Sequence, residues 1–407
     1  MCAPRSLRPC GRSSANCGGF VGLRILYQSN APWATTGYGV QGKHLVPRLK
    51  ALGHEIAYFA FYGLQGGALN LDGTPIFPMG HRMWGEDILP AHMRSFRAHV
   101  HISLMDVWVT EWYGRLAREG GWAWCPWTPI DQEPVARLVL ERLEGAHTVL
   151  PYAKNGEDNL RRAGVNNVRY IPHGVDTAVF QPLDKAECRA KLHLPQDAFV
   201  IGMVAANKGF PSRKCFPEQL LAFAEFKRTH PSALMYIHSL RSAEHGGVDF
   251  GELVLRCGLS DGDVIFSDQY GYIMGYPEPA MAQMYGAFDV LSLTSMGEGF
   301  GIPLIEAQAC GVPVITANST SMPELTFAGL CVERLYPFYT PLGAWAMIPD
   351  YRAVAEAYDH IYDLLQHSRT AVELAENARE GALAFDWDRV VAEFWAPFLT
   401  QLEAELA

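Results

Sequence analysis

The chain has 407 residues, with 33 Lys and Arg against 43 Asp and Glu, for a net charge of −10. At roughly 150 residues per domain that length suggests two or three domains, and 49% hydrophobic against 19% charged residues is too apolar for disorder. The acidic balance, without a run of Lys or Arg, argues against a broad nucleic-acid surface, and no stretch approaches the roughly 20 apolar residues of a membrane helix.

Residues 1–21, rich in Arg, Ser, Gly and Cys, lack the apolar middle of a secretory signal and read as a disordered leader. The nine cysteines are odd in number, scattered and without a CxxC pair, which fits neither a disulfide framework nor a zinc site. A reducing, cytoplasmic setting is expected. From Leu23 onward, short apolar runs alternate with amphipathic stretches. Strands are predicted at 23–27, 55–59, 99–104, 121–127 and 148–151, with helices at 40–52, 134–143 and 155–163; Pro47 weakens the first helix. A second series follows, with strands at 199–204, 234–238, 264–267, 290–293 and 312–316. Its helices are predicted at 217–228, 251–257, 279–287 and 302–310. The tail from 351 to 407 reads as helical, interrupted at Asp386-Trp387-Asp388. Pro, Gly and Asp cluster at 173–182, where a hinge is expected. Strands alternating with helices predict α/β architecture: two doubly wound, Rossmann-like lobes in tandem.

The stretch 295–315 carries the most chemistry. It reads strand, Gly-rich turn, helix, glycine stop, strand. Gly297, Gly299 and Gly301 let backbone N–H groups approach a ligand, and the helix beginning near Ile302 adds its positive end, with Pro303 at home in the first turn. Glu298 lies inside the turn and Glu306 on the following helix, about one turn in. Carboxylates accept hydrogen bonds from neighbouring hydroxyls, so amides for phosphate beside acids for a diol describe a nucleotide-sugar pocket. Gly297-x-Gly299-x-Gly301 is not the GxGxxG pattern of dinucleotide binding, which argues against an oxidoreductase.

This stretch resembles the E-x7-E signature of retaining GT-B glycosyltransferases of family 4 (glycosyl transferases group 1), with Glu298 and Glu306 as the two acids. The resemblance runs from about residue 23 to 402. Pro172 to Pro182 is similar to the family's interlobe segment, and Gly37-Tyr38-Gly39 resembles its N-lobe glycine loop. Phe385-Asp386-Trp387 and the helix after it resemble the segment that crosses back to the N-lobe. The resemblance implies an acceptor lobe at 22–172, a donor lobe at 173–384 and a returning helix at 385–407. It implies transfer of a sugar from a nucleotide diphosphate donor with retention of configuration and no protein nucleophile. Glu298 would contact the donor sugar and Glu306 the ribose. A family Arg and Lys neutralise the diphosphate; Lys214 stands where the Lys is expected, while Gly209 replaces the Arg, leaving Arg213 or Lys208 as substitutes. Gly297, Gly299, Phe300, Gly301 and His173 complete the expected donor contacts.

On the acceptor side, Asp106, ending the strand from His99, and Asp131, in the segment Pro129 to Pro134, are expected either to face the cleft or to serve as capping or turn carboxylates, with Gly37, Tyr38 and Gly39 in the N-lobe loop at the end of the first strand. Trp122, Trp124 and Trp127 read as core, and Tyr270 and Tyr272 are placed near the base. Asn318-Ser319-Thr320 matches a glycosylation sequon but lacks a secretory context. Metal-independent transfer is expected, with the nucleotide sugar as co-substrate and no further cofactor. The acceptor is expected to be a glycan, a lipid-linked carrier or a small molecule, with no nucleic acid and at most peripheral membrane contact. A non-catalytic nucleotide-sugar-binding or partner-binding protein on the same fold is the alternative.

Overall fold

Strands covered by helices on both faces read as near-continuous apolar runs, and the strands here have that character. A computed structural model describes residues 22–407; the expected leader, 1–21, lies outside the described residues. The first sheet comprises β1 (Arg24–Asn30), β2 (Glu55–Tyr62), β3 (Leu69–Leu71), β4 (Thr74–Phe77), β5 (Val100–Leu104), β6 (Ala123–Thr128) and β7 (Leu150–Pro151). Their order is β3-β4-β2-β1-β5-β6-β7, parallel except for the β3–β4 edge pair. The second sheet holds β8 (Val200–Val204), β9 (Leu234–His238), β10 (Val264–Phe266), β11 (Val290–Leu293), β12 (Val314–Ala317) and β13 (Gly329–Val332). Its order is β10-β9-β8-β11-β12-β13. These are the two doubly wound lobes that the alternation predicts.

Ligands of such sheets lie beyond the carboxyl ends of the strands, where the strand order reverses. In the first sheet that point falls between β1 and β5, which aims the 31–39 segment and Asp106 at one place. In the second it falls between β8 and β11, which aims loops 205–215 and 294–301. The two sets of loops meet across the interlobe cleft.

Two expectations change in position. Gly37, Tyr38 and Gly39 are not a loop but the first turn of the helix Gly37–Ala51. Thr36 caps it, its hydroxyl accepting the Gly39 N–H at 3.1 Å, and Pro47 is accommodated within the helix. In the tail, the breaks fall at His367 and at 384–386, between the helices Tyr351–Gln366, Ser368–Leu383 and Trp387–Val390. Asp386 causes the second break by capping, its side chain accepting the Asp388 N–H at 3.0 Å. A π-turn, Val391–Trp395, leads into the last helix, Ala396–Leu406.

This tail returns to the first lobe. Trp395 packs edge-on to Trp127 with ring centroids 5.0 Å apart, and Arg169 reaches Gln401 at 2.8 Å. The helix Gly37–Ala51 is tied in turn to the second lobe. Glu278 receives Lys43 at 2.8 Å and His44 at 2.7 Å, and Gln41 donates to the Gly174 carbonyl at 2.9 Å. A two-stranded hairpin of β14 (Leu335–Tyr339) and β15 (Trp345–Pro349) has no counterpart among the predicted elements. It straps the lobes together: Glu133 and Trp345 exchange backbone hydrogen bonds at 3.2 Å in both directions.

Candidate functional site

The Gly-rich turn between β11 and the helix Ile302–Ala309 forms as read, but its glycines serve different ends. Gly301 has φ +107°, a conformation that disfavours any side chain. Gly297 and Gly299 make room for the other lobe. A Cβ on Gly297 would stand 2.2 Å from the Asp131 carbonyl oxygen, and one on Gly299 2.2 Å from the Pro129 Cβ. Both glycines therefore admit the backbone at 129–131. The Glu298 amide is likewise already engaged, donating to Thr320 Oγ1 at 2.8 Å. Phe300 is buried between His173 and Phe385, with ring centroids at 5.3 and 5.5 Å.

The turn presents Glu298 to two cations. Lys214 and Arg213 stand on the loop after β8, just before the helix Phe216–Lys227. Lys214 Nζ donates to the buried Glu298 carboxylate. Arg213 Nη1 donates to the Gly297 carbonyl and to Glu298 Oε2, the latter at 3.2 Å, and lies 3.9 Å from Asp131. Burial alone would raise the Glu298 carboxyl; Arg213 and Lys214 overcome it and hold the group at about 2. Burial holds Lys214 below the usual lysine range, with Glu298 opposing. Of the two candidate substitutes for the missing family arginine, Arg213 joins the cluster. Lys208 does not: it is exposed, and its backbone bridges to Gly246.

Glu306 lies on the following helix, its Oε2 accepting the Tyr285 hydroxyl at 2.7 Å. Burial pushes it up to about 7, the tyrosine opposing and Glu278 adding to the rise. His173 is enclosed by aromatic rings, with centroids of Tyr152 at 4.1 Å and Trp127 at 4.6 Å. Burial pushes it down to about 3, so the ring is neutral, and its Nδ1 has no hydrogen-bond partner among the described residues. Its visible contacts belong to the lobe junction.

From the first lobe, Gly37 faces the start of the helix Ile302–Ala309, its Cβ position lying 3.5 Å from Ile302 Cδ1. Gly39 has no room for a side chain, the Ala34 carbonyl oxygen being 2.3 Å from its Cβ position. Tyr38 sits edge-on to Tyr152. Asp106 and Asp131 line a cavity of about 20 Å³ with Trp108, Gln132, Val135 and Leu342. Burial, then Asp131, raises Asp106 to about 6, with Arg213 opposing; burial also raises Asp131.

Trp124 and Trp127 are fully buried, as read. Tyr270 is 73% exposed, whereas Tyr272 packs on His238 with centroids 5.0 Å apart. Three contributors escaped the sequence reading: the Thr320–Ser321 turn behind Glu298, Tyr285 beside Glu306, and the hairpin that brings Leu342 to the cavity. Met347 of that hairpin donates to the Met296 carbonyl at 3.0 Å, coupling it to the Gly-rich turn. Among the described residues, no three His, Cys, Asp or Glu side chains group to hold a metal ion, and no helix is long and apolar enough to cross a membrane.

Residues 264–335 match the family described as glycosyl transferases group 1. The chain is 30% identical over 160 residues to the D-inositol 3-phosphate glycosyltransferase of Stackebrandtia nassauensis, covering 38% of this chain and 34% of that protein. It is 30% identical over 200 residues to the enzyme of that name from Segniliparus rotundus, covering 44% and 39%. The matches thus span between a third and two-fifths of these relatives' length. In three dimensions the chain is similar to sucrose-phosphate synthase from Thermosynechococcus elongatus, with TM-score 0.71, 20% identity and coverage of 94% and 100%. It is also similar to Anabaena HepE in complex with UDP and glucose, with TM-score 0.69, 15% identity and coverage of 93% and 100%. The fold is GT-B.

Proposed function

We propose that this GT-B chain, which carries the glycosyl transferases group 1 segment at 264–335, transfers a sugar from a nucleotide diphosphate sugar to an acceptor hydroxyl with retention of configuration. The observation that carries the reading is the contact of Lys214 and Arg213 with Glu298 at the mouth of the cleft. A diphosphate offers those cations the same kind of anionic oxygen that the carboxylate offers now. On donor binding they turn to the phosphates, and Glu298 is released toward hydroxyls of the donor sugar. Glu306 takes the ribose hydroxyls.

In the reaction the bond from the anomeric carbon to the phosphate oxygen breaks and a bond to the acceptor oxygen forms on the same face. The departing phosphate oxygen takes the acceptor's proton, so no side chain serves as nucleophile. Lys214 and Arg213 stabilise the charge that develops on the diphosphate, which makes transfer independent of a divalent metal. The acceptor, a glycan, a lipid-linked carrier or a small molecule, enters against Asp106 and Asp131. The uridine nucleotides named with Anabaena HepE make UDP-sugars the first donors to try. The curated relatives are named for an inositol phosphate acceptor.

The test is nucleoside diphosphate release from UDP-, GDP-, ADP- and TDP-sugars, with and without EDTA. Release from one donor, indifferent to EDTA and lost in Glu298→Ala, is the expected result. Binding without release, with or without candidate acceptors, would favour a non-catalytic binding protein. No binding of any donor would remove the nucleotide-sugar assignment.

A further inference from the structure

Thr320 holds a backbone conformation that its own side chain disfavours. Its φ is +51°, in the left-handed region where a β-branched residue is an outlier, and the residue is buried. Such a conformation persists only where its surroundings hold it. Here Thr320 Oγ1 accepts the Glu298 N–H at 2.8 Å and donates to the Ser319 carbonyl at 2.9 Å. The next residue completes the grip: Ser321 Oγ lies 2.8 Å from the carbonyl oxygens of both Glu298 and Phe300. One tight turn therefore secures the amide and the carbonyl of the residue whose carboxylate meets Lys214. A second non-glycine residue in the left-handed region, Cys215 at φ +50°, directly follows Lys214 and is fully buried. Two disfavoured backbones thus flank one ion cluster.

We infer that Thr320 is a positioning residue: its left-handed backbone turns its hydroxyl onto the Glu298 amide and so fixes where the Glu298 carboxylate meets Lys214. The catalytic part of this inference rests on the donor-site reading above. The simpler account makes Thr320 a turn residue that merely satisfies a buried amide. Glycine separates the two, because it relaxes the backbone while deleting the hydroxyl. A turn residue would be replaced by glycine without functional loss. A positioning residue would yield a folded protein, at least as stable as the alanine variant, whose site is loosened.

The experiment compares Thr320→Gly, Thr320→Ala and Thr320→Ser with the parent in the full chain. Three quantities are read: the thermal midpoint, the rate at which acetic anhydride acetylates Lys214, followed by peptide mass spectrometry, and kcat and KM for release of UDP from UDP-glucose. The acetylation needs no donor. Thr320→Gly should melt above Thr320→Ala, yet label Lys214 about fivefold faster than the parent and lose about fivefold in kcat, the equivalent of one hydrogen bond. Thr320→Ala should show the same loosening with a lower midpoint, since it keeps the strain. Thr320→Ser should restore labelling and kcat to near the parent's. Parent-like labelling and kcat in Thr320→Gly, or in Thr320→Ala should the glycine variant not fold, would overturn the inference. If the parent is silent across the nucleotide-sugar panel while labelling still responds to Thr320→Gly, the donor reading falls and the positioning of Glu298 stands.

Discussion

Gly299 lies against Pro129 so closely that a Cβ on the glycine would stand 2.2 Å from the proline's own. Gly297 meets the Asp131 carbonyl oxygen at the same separation. The Gly-rich turn therefore touches the segment after β6 through backbone and a rigid ring, neither of which can swing aside. Gly299→Ala must push the lobes apart or displace the turn. Misplacement by about an ångström can cost on the order of a hundredfold in rate. The expected outcome is at least about tenfold lower kcat/KM for donor hydrolysis, with the far-ultraviolet circular dichroism unchanged. Parent-like turnover would mean that the contact is dispensable.

Glu306 gives a pH signature. Burial raises it to about 7 from an ordinary 4.5, the Tyr285 hydrogen bond opposing. The folded value is the higher one, so its stabilising contribution is complete below about 4.5 and is lost as pH rises through 7. Glu306→Gln keeps an acceptor for the tyrosine and cannot titrate. The stability of the parent relative to this variant should fall between pH 4.5 and 8 by on the order of 1 to 3 kcal/mol, measured by urea unfolding at each pH. A difference that stays level across that range would place Glu306 in a wetter setting.

These two sites show what a sequence makes legible. Strands β9 and β11 were readable to the residue, because short apolar runs end at polar or glycine-rich loops. Glu298 and Lys214 were each singled out in the sequence, but not their pairing, which only the fold brings about. Gly297 and Gly299 announced a tight turn but not its cause, since Pro129 and Asp131 arrive from a distant part of the chain. The hairpin was hidden for a different reason. Tyr336, Pro337 and Tyr339 give half-exposed alternation with a proline inside, which reads as loop, and its pairing with Glu133 is a tertiary contact. Gly37-Tyr38-Gly39 has poor helix propensity, and the Thr36 cap prevails locally.

Trp395 and Trp127 predict a linked loss. Both are fully buried and meet edge-on, and Trp127 sits two residues before the Pro129 contact. Trp395→Ala should cost roughly 3–5 kcal/mol of stability and lower donor hydrolysis as well. Trp395→Phe should recover most of both, because the Trp395 Nε1 has no hydrogen-bond partner among the described residues and its loss breaks none. Equal losses in the two variants would show that ring area is not what the returning segment supplies.

The proposed acceptor side makes a prediction about charge. Asp106 and Asp131 line their cavity without a Lys, Arg or His among its walls. Arg213, 3.9 Å from Asp131, is already engaged with Glu298 and, in the proposed reaction, with the diphosphate. A phosphorylated acceptor would thus meet two carboxylates and no free cation, whereas hydroxyls or an amine would find acceptors. Like charges about 4 Å apart cost roughly 4 kcal/mol at an effective dielectric constant near 20. Glucose should therefore be glycosylated at least about tenfold faster than glucose 6-phosphate, and inositol than its phosphate, whatever their absolute rates. Asp131→Asn should narrow that gap. A preference of the parent for the phosphorylated partner would sink the idea. Acidity separates charge from shape, because Asp106 regains its proton near pH 6. With glucose 6-sulfate, whose own charge does not change in this range, discrimination should weaken as pH falls from 8 to 5.5; exclusion by shape would leave it unchanged.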